Sequence, residues 1–225
     1  MTSKLDNTYR MEGDIIITEA HHRKAAAEIM DILGETIKSS VPFALTIAGE
    51  SGSGKSETAT ALADALKEKN IKTYILQQDD YFFLPPKTNE NQRRNNIEAV
   101  GTQEVNMELM NEHISTFKQG KSLISKPLVV FADDRITTEN TDFSDVDVLI
   151  AEGTFTTLLD AADVHVFIDR NLNDTLESRK KRNREKQDAF LEQVLTIEHA
   201  IISKHKAKAD LIVDKDYHVH KNVKQ

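Results

Sequence analysis

Apolar positions along the chain change period several times, and each change predicts an element. From Thr18 to Ser39, Ala25, Ile29, Ile32, Leu33 and Ile37 recur at the spacing of one helix face. Phe43 to Ala48 (FALTIA) is a short apolar run of the kind that forms a buried strand. A second helix follows a glycine cluster, with Ala59, Leu62, Ala63 and Leu66 on its face and Asn70 as its stop. Residues 71–77 (IKTYILQ) predict the next strand. The stretch 84–101, with two prolines, several asparagines and Arg93-Arg94, reads as a long loop. Val105, Leu109, Met110, Ile114 and Phe117 predict a helix closed by Gly120. Strands are expected at 127–131, 146–151, 164–168 and 211–213. A charge-rich helix is expected from about Leu172, and another carries Phe190, Val194, Ile197 and Ile201. Strands alternating with helices predict an α/β fold in three layers, a mostly parallel sheet with helices on both faces.

Composition narrows the class. With 225 residues the chain can bury a sizeable core, and 39% apolar with 29% charged residues is globular composition. The net charge of −8 argues against a nucleic-acid or anionic-membrane partner in general. There is no cysteine, which excludes disulfides and thiolate zinc sites and fits a reducing compartment. No run approaches the length of a membrane span, and the first residues have no apolar core like that of a signal peptide. A cytoplasmic location is expected.

Residues 49–56 read GESGSGKS, with Gly49, Gly54, Lys55 and Ser56 at the fixed places of G-x-x-x-x-G-K-[ST]. In that loop the backbone N–H groups of Gly49, Glu50, Ser51, Gly52, Ser53, Gly54, Lys55 and Ser56 surround the phosphates of ATP. The lysine reaches the outer phosphates and the Ser56 hydroxyl binds Mg2+. A strand precedes the loop and a helix follows it, as the mechanism requires, and the helix adds its positive dipole end. Two acids stand at predicted strand ends: Asp79 in QQDDYFF, with Asp80 as its competitor, and Glu152 in VLIAEG. A carboxylate there can ligate the metal or accept a proton from an attacking hydroxyl. Residues 179–186 (RKKRNREK) hold six basic side chains in eight positions. Arg179 and Arg182 are three apart on one helix face, suited to a lid that stabilises the transferring phosphoryl group.

In this order, these motifs resemble the phosphoribulokinase/uridine kinase family of P-loop metabolite kinases over most of residues 43–215. GESGSGKS is similar to the family's Walker A loop. QQDDYFF resembles the segment whose first aspartate is the catalytic base, which favours Asp79. IAEG resembles the strand-ending glutamate near magnesium, and VFIDRNLNDTLESRKKRNREK resembles the strand, helix and arginine-bearing lid. The resemblance implies a P-loop NTPase-type fold with a short helical lid, and transfer of the ATP γ-phosphoryl group to a hydroxyl of a small-molecule acceptor. Two departures stand out. KPLVVFADDRITTEN lacks the tyrosine and histidine usual in uridine kinases, and Arg182 is followed by Asn183 rather than aspartate. Tyr81, Arg93, Arg94 and Arg135 are the residues expected nearest the acceptor, where a functional arginine would suit an anionic or polyhydroxylated compound.

The expected organisation is an N-terminal extension with a helix over 1–40, then a kinase domain over 41–225 with its lid around 172–187. A homo-oligomer is compatible with the sequence. His21-His22 and His218/His220 are expected to be surface residues rather than metal ligands. Two other readings stay open: a nucleotide-binding regulator, and a kinase of nucleic-acid ends. The N-K-x-D motif of GTPases and the L-S-G-G-Q loop of transporter ATPases are both absent.

Overall fold

The computed structural model describes residues 16–176, 179 and 188–223. A six-stranded sheet runs in the order β2-β5-β1-β6-β7-β8. Its strands are β1 (Phe43–Gly49), β2 (Thr73–Gln77), β5 (Val148–Glu152), β6 (Val164–Ile168), β7 (Leu211–Val213) and β8 (Val219–Lys221). All neighbours are parallel except β7 and β8. The helices are α1 (Ala20–Ser39), α2 (Lys55–Glu68), α3 (Pro86–Asn95), α4 (Met107–Lys118) and α5 (Ala189–Ile202). A separate antiparallel hairpin pairs β3 (Leu123–Val130) with β4 (Arg135–Asp142). No described helix is long and apolar enough to cross a membrane.

Two-residue alternation along the buried strands divides the core between the two faces of the sheet. Phe43, Leu45 and Ile47 of β1 join Val148, Ile150, Val166 and Ile168 in one cluster. Ala44 and Ala48 join Leu149, Ala151 and Phe167 in the other. The first face is covered by α2 through Ala59, Leu62 and Leu66, and by α1 through Ala25, Ala26, Ile29, Leu33 and Ile37. The second is covered by Met110, Ile114 and Phe117 of α4 and Ile202 of α5. α2 ends at the expected Asn70, which takes a left-handed φ of 60°. The amides of Asn70 and Ile71 then bond back to Lys67 and Leu66, closing the last turn. Gly120 closes α4 in the same way.

Residues 84–101 depart from the expected loop, because α3 lies within them. α3 has no apolar stripe, and Asn89 is its only buried residue. Other contacts hold it. Pro86 stands where a missing N–H costs nothing. Asp134, from the turn of the β3–β4 hairpin, accepts the backbone N–H groups of Lys87 (2.7 Å) and Thr88 (3.1 Å) and the Thr88 hydroxyl (2.7 Å). That hydroxyl bond is the main reason the Asp134 carboxyl titrates below its ordinary value. The apolar run 127–131 does lie largely in a strand, but in the hairpin rather than the sheet. Its partner RITTENTD is too polar to register as a strand. Of the expected lid, residues 172–176 and Arg179 are described, while Arg182 lies outside the described residues.

α1 begins beside the glycine loop rather than at the surface. The Nδ1 of His22 accepts the Glu19 backbone N–H at 3.0 Å, and the ring is buried, unlike the exposed His218 and His220. Burial, and then its neighbour His21, push the His22 pKa down to about 4, against an opposing pull from Glu57 and Glu19.

Two outcomes follow from this packing. Ile29→Ala removes a fully buried side chain between α1 and α2 and should cost about 2–5 kcal/mol, read as a lowered melting temperature. An unchanged melting temperature would mean that α1 does not belong to the cooperative core. For His22, the unfolded chain binds a proton near pH 6.5 and the folded chain only near 4. Its contribution to stability is therefore present above pH 6.5 and lost as pH falls toward 4. His22→Gln should flatten this acid limb in melts taken from pH 7 to 4.5; parallel curves for the two proteins would contradict the assignment.

Candidate phosphoryl-transfer site

Between the end of β1 and the start of α2, Glu50–Gly54 turn back over the helix N-terminus. Gly52 and Gly54 take φ values of 75° and 95°, a conformation that side chains rarely adopt. Space excludes them as well. A Cβ on Gly52 would lie 2.8 Å from Arg179 Cγ, and one on Gly54 would lie 2.7 Å from the Tyr217 hydroxyl and 2.9 Å from His22 Nε2. Lys55 Nζ donates to the Glu50 carbonyl at 3.0 Å, so the lysine folds over its own loop. Ser53 Oγ is buried with no hydrogen-bond partner among the described residues. A backbone cradle, a lysine over it and an orphaned hydroxyl fit a bound phosphate chain.

Glu152 closes the other side. It ends β5, where the register sets it opposite Ile47 of β1 and Gln77 of β2. Its Oε1 accepts the Ser56 hydroxyl at 2.9 Å and the Gln77 side-chain N–H at 3.2 Å. The two expected metal residues, Ser56 and Glu152, are thus in direct contact. No cluster of three or more His, Cys, Asp or Glu able to hold a metal occurs among the described residues. A hydroxyl beside one carboxylate fits Mg2+ well, because that ion keeps several waters and takes the rest of its oxygens from nucleotide phosphates.

The two candidate bases separate cleanly. Asp79 is exposed in the short turn Gln78–Tyr81 that follows β2. Asp80 is 5% exposed and both its oxygens are engaged, by Lys126 Nζ at 2.7 Å and by the Val129 N–H at 2.9 Å. Lys126 also pairs with Glu139 at 3.3 Å. Burial opposes the lysine's charge, but Asp80 ahead of Glu139 carries its pKa above the ordinary value. Asp80 therefore ties the turn to the hairpin and leaves Asp79 outward. Next to Asp79, Gln78 accepts the Phe155 N–H at 2.7 Å, which seats the turn against the segment after Glu152. The two acids thus stand at the same end of neighbouring strands.

The residues expected around the acceptor are differently employed. Tyr81 is 1% exposed and hydrogen bonds His113 Nδ1 at 2.7 Å; it belongs to the core rather than to an open site. Arg93 grips Glu104 through two bonds of 2.6 and 2.9 Å and reaches Glu198 at 3.3 Å. Arg94 pairs with Glu90 at 2.7 Å and Asp188 at 3.2 Å and lies over the Phe190 ring. Arg135 pairs with Asp133 at 3.2 Å on the surface. Arg179 is buried against Gly52 and bonds Thr175, so the first lid arginine touches the phosphate loop.

Several site residues gave no sequence signal. Glu50 lies inside the matched motif, yet its partner His199 on α5, at 2.5 Å, is 149 positions away. Glu104 accepts bonds from Asn89 and the Gly101 N–H as well as from Arg93, in a stretch read as ordinary polar loop and helix start. Tyr217 and His22, which wall the loop at Gly54, come from opposite ends of the described chain. A three-residue capping or heptad pattern reveals neighbours in sequence; of these pairs only Gly101 and Glu104 stand that close, and the others are at least eleven positions apart.

Comparison with known proteins bears on the family and the fold. The chain is 32% identical over 186 residues to the bifunctional alpha-galactosidase/sucrose kinase AgaSK of Mediterraneibacter gnavus, covering 76% of this chain and 20% of that one. It therefore spans about a fifth of the length of that relative. It is 30% identical over 159 residues to the uridine kinase of Ureaplasma urealyticum, covering 69% of this chain and 75% of that one. Among solved structures, the phosphoribulokinase from Rhodobacter spheroides superposes with a TM-score of 0.61 at 12% identity, covering 76% of this chain and 69% of that one. The D-glycerate 3-kinase from Cryptococcus neoformans superposes with a TM-score of 0.58 at 13% identity, covering 91% of this chain and all 100% of that one. These two show the shared fold. The profile of the Phosphoribulokinase / Uridine kinase family matches residues 44–218, and this chain belongs to that family of small-molecule kinases.

Proposed function

We propose that the protein transfers the γ-phosphoryl group of Mg·ATP to a hydroxyl of an uncharged, polyhydroxylated small molecule. The observation that carries the chemistry is the contact of Ser56 with Glu152 next to the glycine loop, with Asp79 exposed just past the end of the strand that pairs with β5. When bound, Mg·ATP supplies the phosphoryl group and the metal that draws charge from it. Lys55 would reach the outer phosphates from its place over the Glu50 carbonyl. Ser56 and Glu152 would hold the metal directly or through water, and Gln77 keeps the Glu152 carboxylate oriented. Asp79 orients the acceptor hydroxyl and takes its proton as the new P–O bond forms. Arg179 and Arg182 stabilise charge on the group in transit.

Ion pairing supports an uncharged acceptor. Arg93, Arg94 and Arg135 each lie against carboxylates, so an acceptor carrying a phosphate would have to break an existing pair to find one of them. Breaking a buried pair such as Arg93–Glu104 leaves an uncompensated charge and is costly. A neutral polyol asks only for hydrogen bonds. The names of the sucrose kinase and uridine kinase relatives are in keeping with a neutral acceptor. A cytoplasmic location, suggested by the absence of cysteine, fits a metabolite kinase.

The decisive assay is ADP formation from Mg·ATP with sucrose, fructose, uridine, cytidine, glycerate and ribulose 5-phosphate as candidate acceptors. Turnover is expected with a neutral compound and should vanish in Lys55→Ala. Turnover confined to the sugar phosphate would overturn the charge argument. The two aspartates make a sharper test. Asp79→Asn should abolish transfer while melting temperature and ATP affinity stay near wild type. Asp80→Asn should instead lower stability by about 3 kcal/mol, because it removes the buried anionic partner of Lys126 and leaves the ammonium only the longer pair with half-exposed Glu139. Equal effects of the two variants on stability would undo the division of labour between them.

A further inference from the structure

Tyr217 is an outlier that the reaction scheme leaves unexplained. It sits in the turn between β7 and β8 with φ of 61°, a conformation that costs a residue with a side chain on the order of 1–2 kcal/mol. The turn enforces it: Asp214 accepts the Tyr217 N–H through its carbonyl and the N–H groups of Asp216 and His218 through its side chain. The result is a tyrosine 5% exposed and driven inward at the glycine loop. Its hydroxyl accepts from Arg170 Nη1 at 2.7 Å and donates to the Ser53 carbonyl at 3.0 Å. His22 packs edge-on against the ring, with centroids 5.2 Å apart. Burial raises the Tyr217 pKa, against the pull of Arg170, so the group keeps its proton and stays a donor.

That contact falls on an instructive bond. A trans peptide is planar, so the Ser53 carbonyl and the Gly54 N–H point in opposite directions. The next peptide is fixed by α2, since the Gly54 carbonyl accepts the Thr58 N–H at 2.8 Å. The Ser53–Gly54 peptide has no helical bond of this kind, and Gly54 offers little resistance to rotation. A flipped peptide would turn a carbonyl oxygen toward the phosphates in place of a donor.

We infer that Tyr217, oriented by Arg170, is a positioning residue for nucleotide binding: by holding the Ser53 carbonyl outward it keeps the Gly54 N–H turned into the phosphate cradle. This rests on the reading of residues 49–56 as a triphosphate site. The N-terminal helix and the C-terminal turn then act together as a brace behind the loop, through His22 and Tyr217.

Tyr217→Phe keeps the ring and removes only the hydroxyl. It should raise the Kd and KM for Mg·ATP about tenfold, the scale of one misaligned hydrogen bond to a charged group. The kcat and the acceptor KM should change less than about twofold, a split that loss of general stability would not produce. Tyr74→Phe, which removes another buried hydroxyl remote from the loop, is the control and should leave ATP affinity alone. If Tyr217→Phe does not fold, Arg170→Gln leaves the tyrosine in place and carries the same expectation. Unchanged ATP affinity in the tested variant, or equal losses in kcat and in both KM values, would overturn the role. Failure of the wild-type protein to bind Mg·ATP in a Lys55-dependent way would instead overturn the site itself.

Discussion

The molecule is organised around one buried carboxylate. Glu152 sits at the end of a strand flanked on both sides, where an unpaired negative charge would be expensive. It is tolerated because Ser56 and Gln77 donate to it, and both donors depend on register. Gln77 faces it only if β2 pairs with β5 as observed, and Ser56 reaches it only if α2 starts where β1 stops. The two apolar clusters supply the force that fixes those registers, because a one-residue slip would send each side chain of a strand into the cluster on the opposite face of the sheet. Core and site are therefore not separate layers of explanation: the packing of Ile47, Ile150 and their neighbours sets the spacing at which the polar groups meet.

A different physics governs α3 and the hairpin. α3 and β4 have little apolar surface of their own, β3 gives Ile124 to a core cluster, and an isolated two-stranded hairpin is marginal in water. Charged and hydrogen-bonded ties replace the missing core. Lys126 and the Val129 amide anchor on Asp80, Asp134 caps α3, and Arg93 reaches across to Glu104 and Glu198. On α5, Glu198 and His199 are adjacent, one paired to α3 and the other to Glu50 of the phosphate loop. α3 and the glycine loop thus share a single helix as their common support.

The main sheet was legible in the sequence because each of its longer strands is a compact apolar run bounded by turn residues. The phosphate loop was legible because its function demands glycines and a lysine at fixed spacing. The region of α3 and the hairpin was not. Polar β4 and β8 carry no strand pattern, α3 is stabilised by a cap 46 or more residues away, and Tyr81 looks the same whether it lines a site or a core. His22 illustrates the limit most plainly. Beside His21 on an amphipathic stretch it reads as solvent-facing, yet the fold brings it against Gly54, a contact visible only once the chain is closed.

The hairpin's independence from the sheet has an evolutionary consequence. β3 and β4 pair with each other and with no strand of the six-stranded sheet. Insertions, deletions or wholesale replacement there leave the sheet's registers untouched, provided an anchor for Asp80 and a cap for α3 remain. A lineage could exchange this one module while inheriting the sheet and the glycine loop at the end of β1 unchanged.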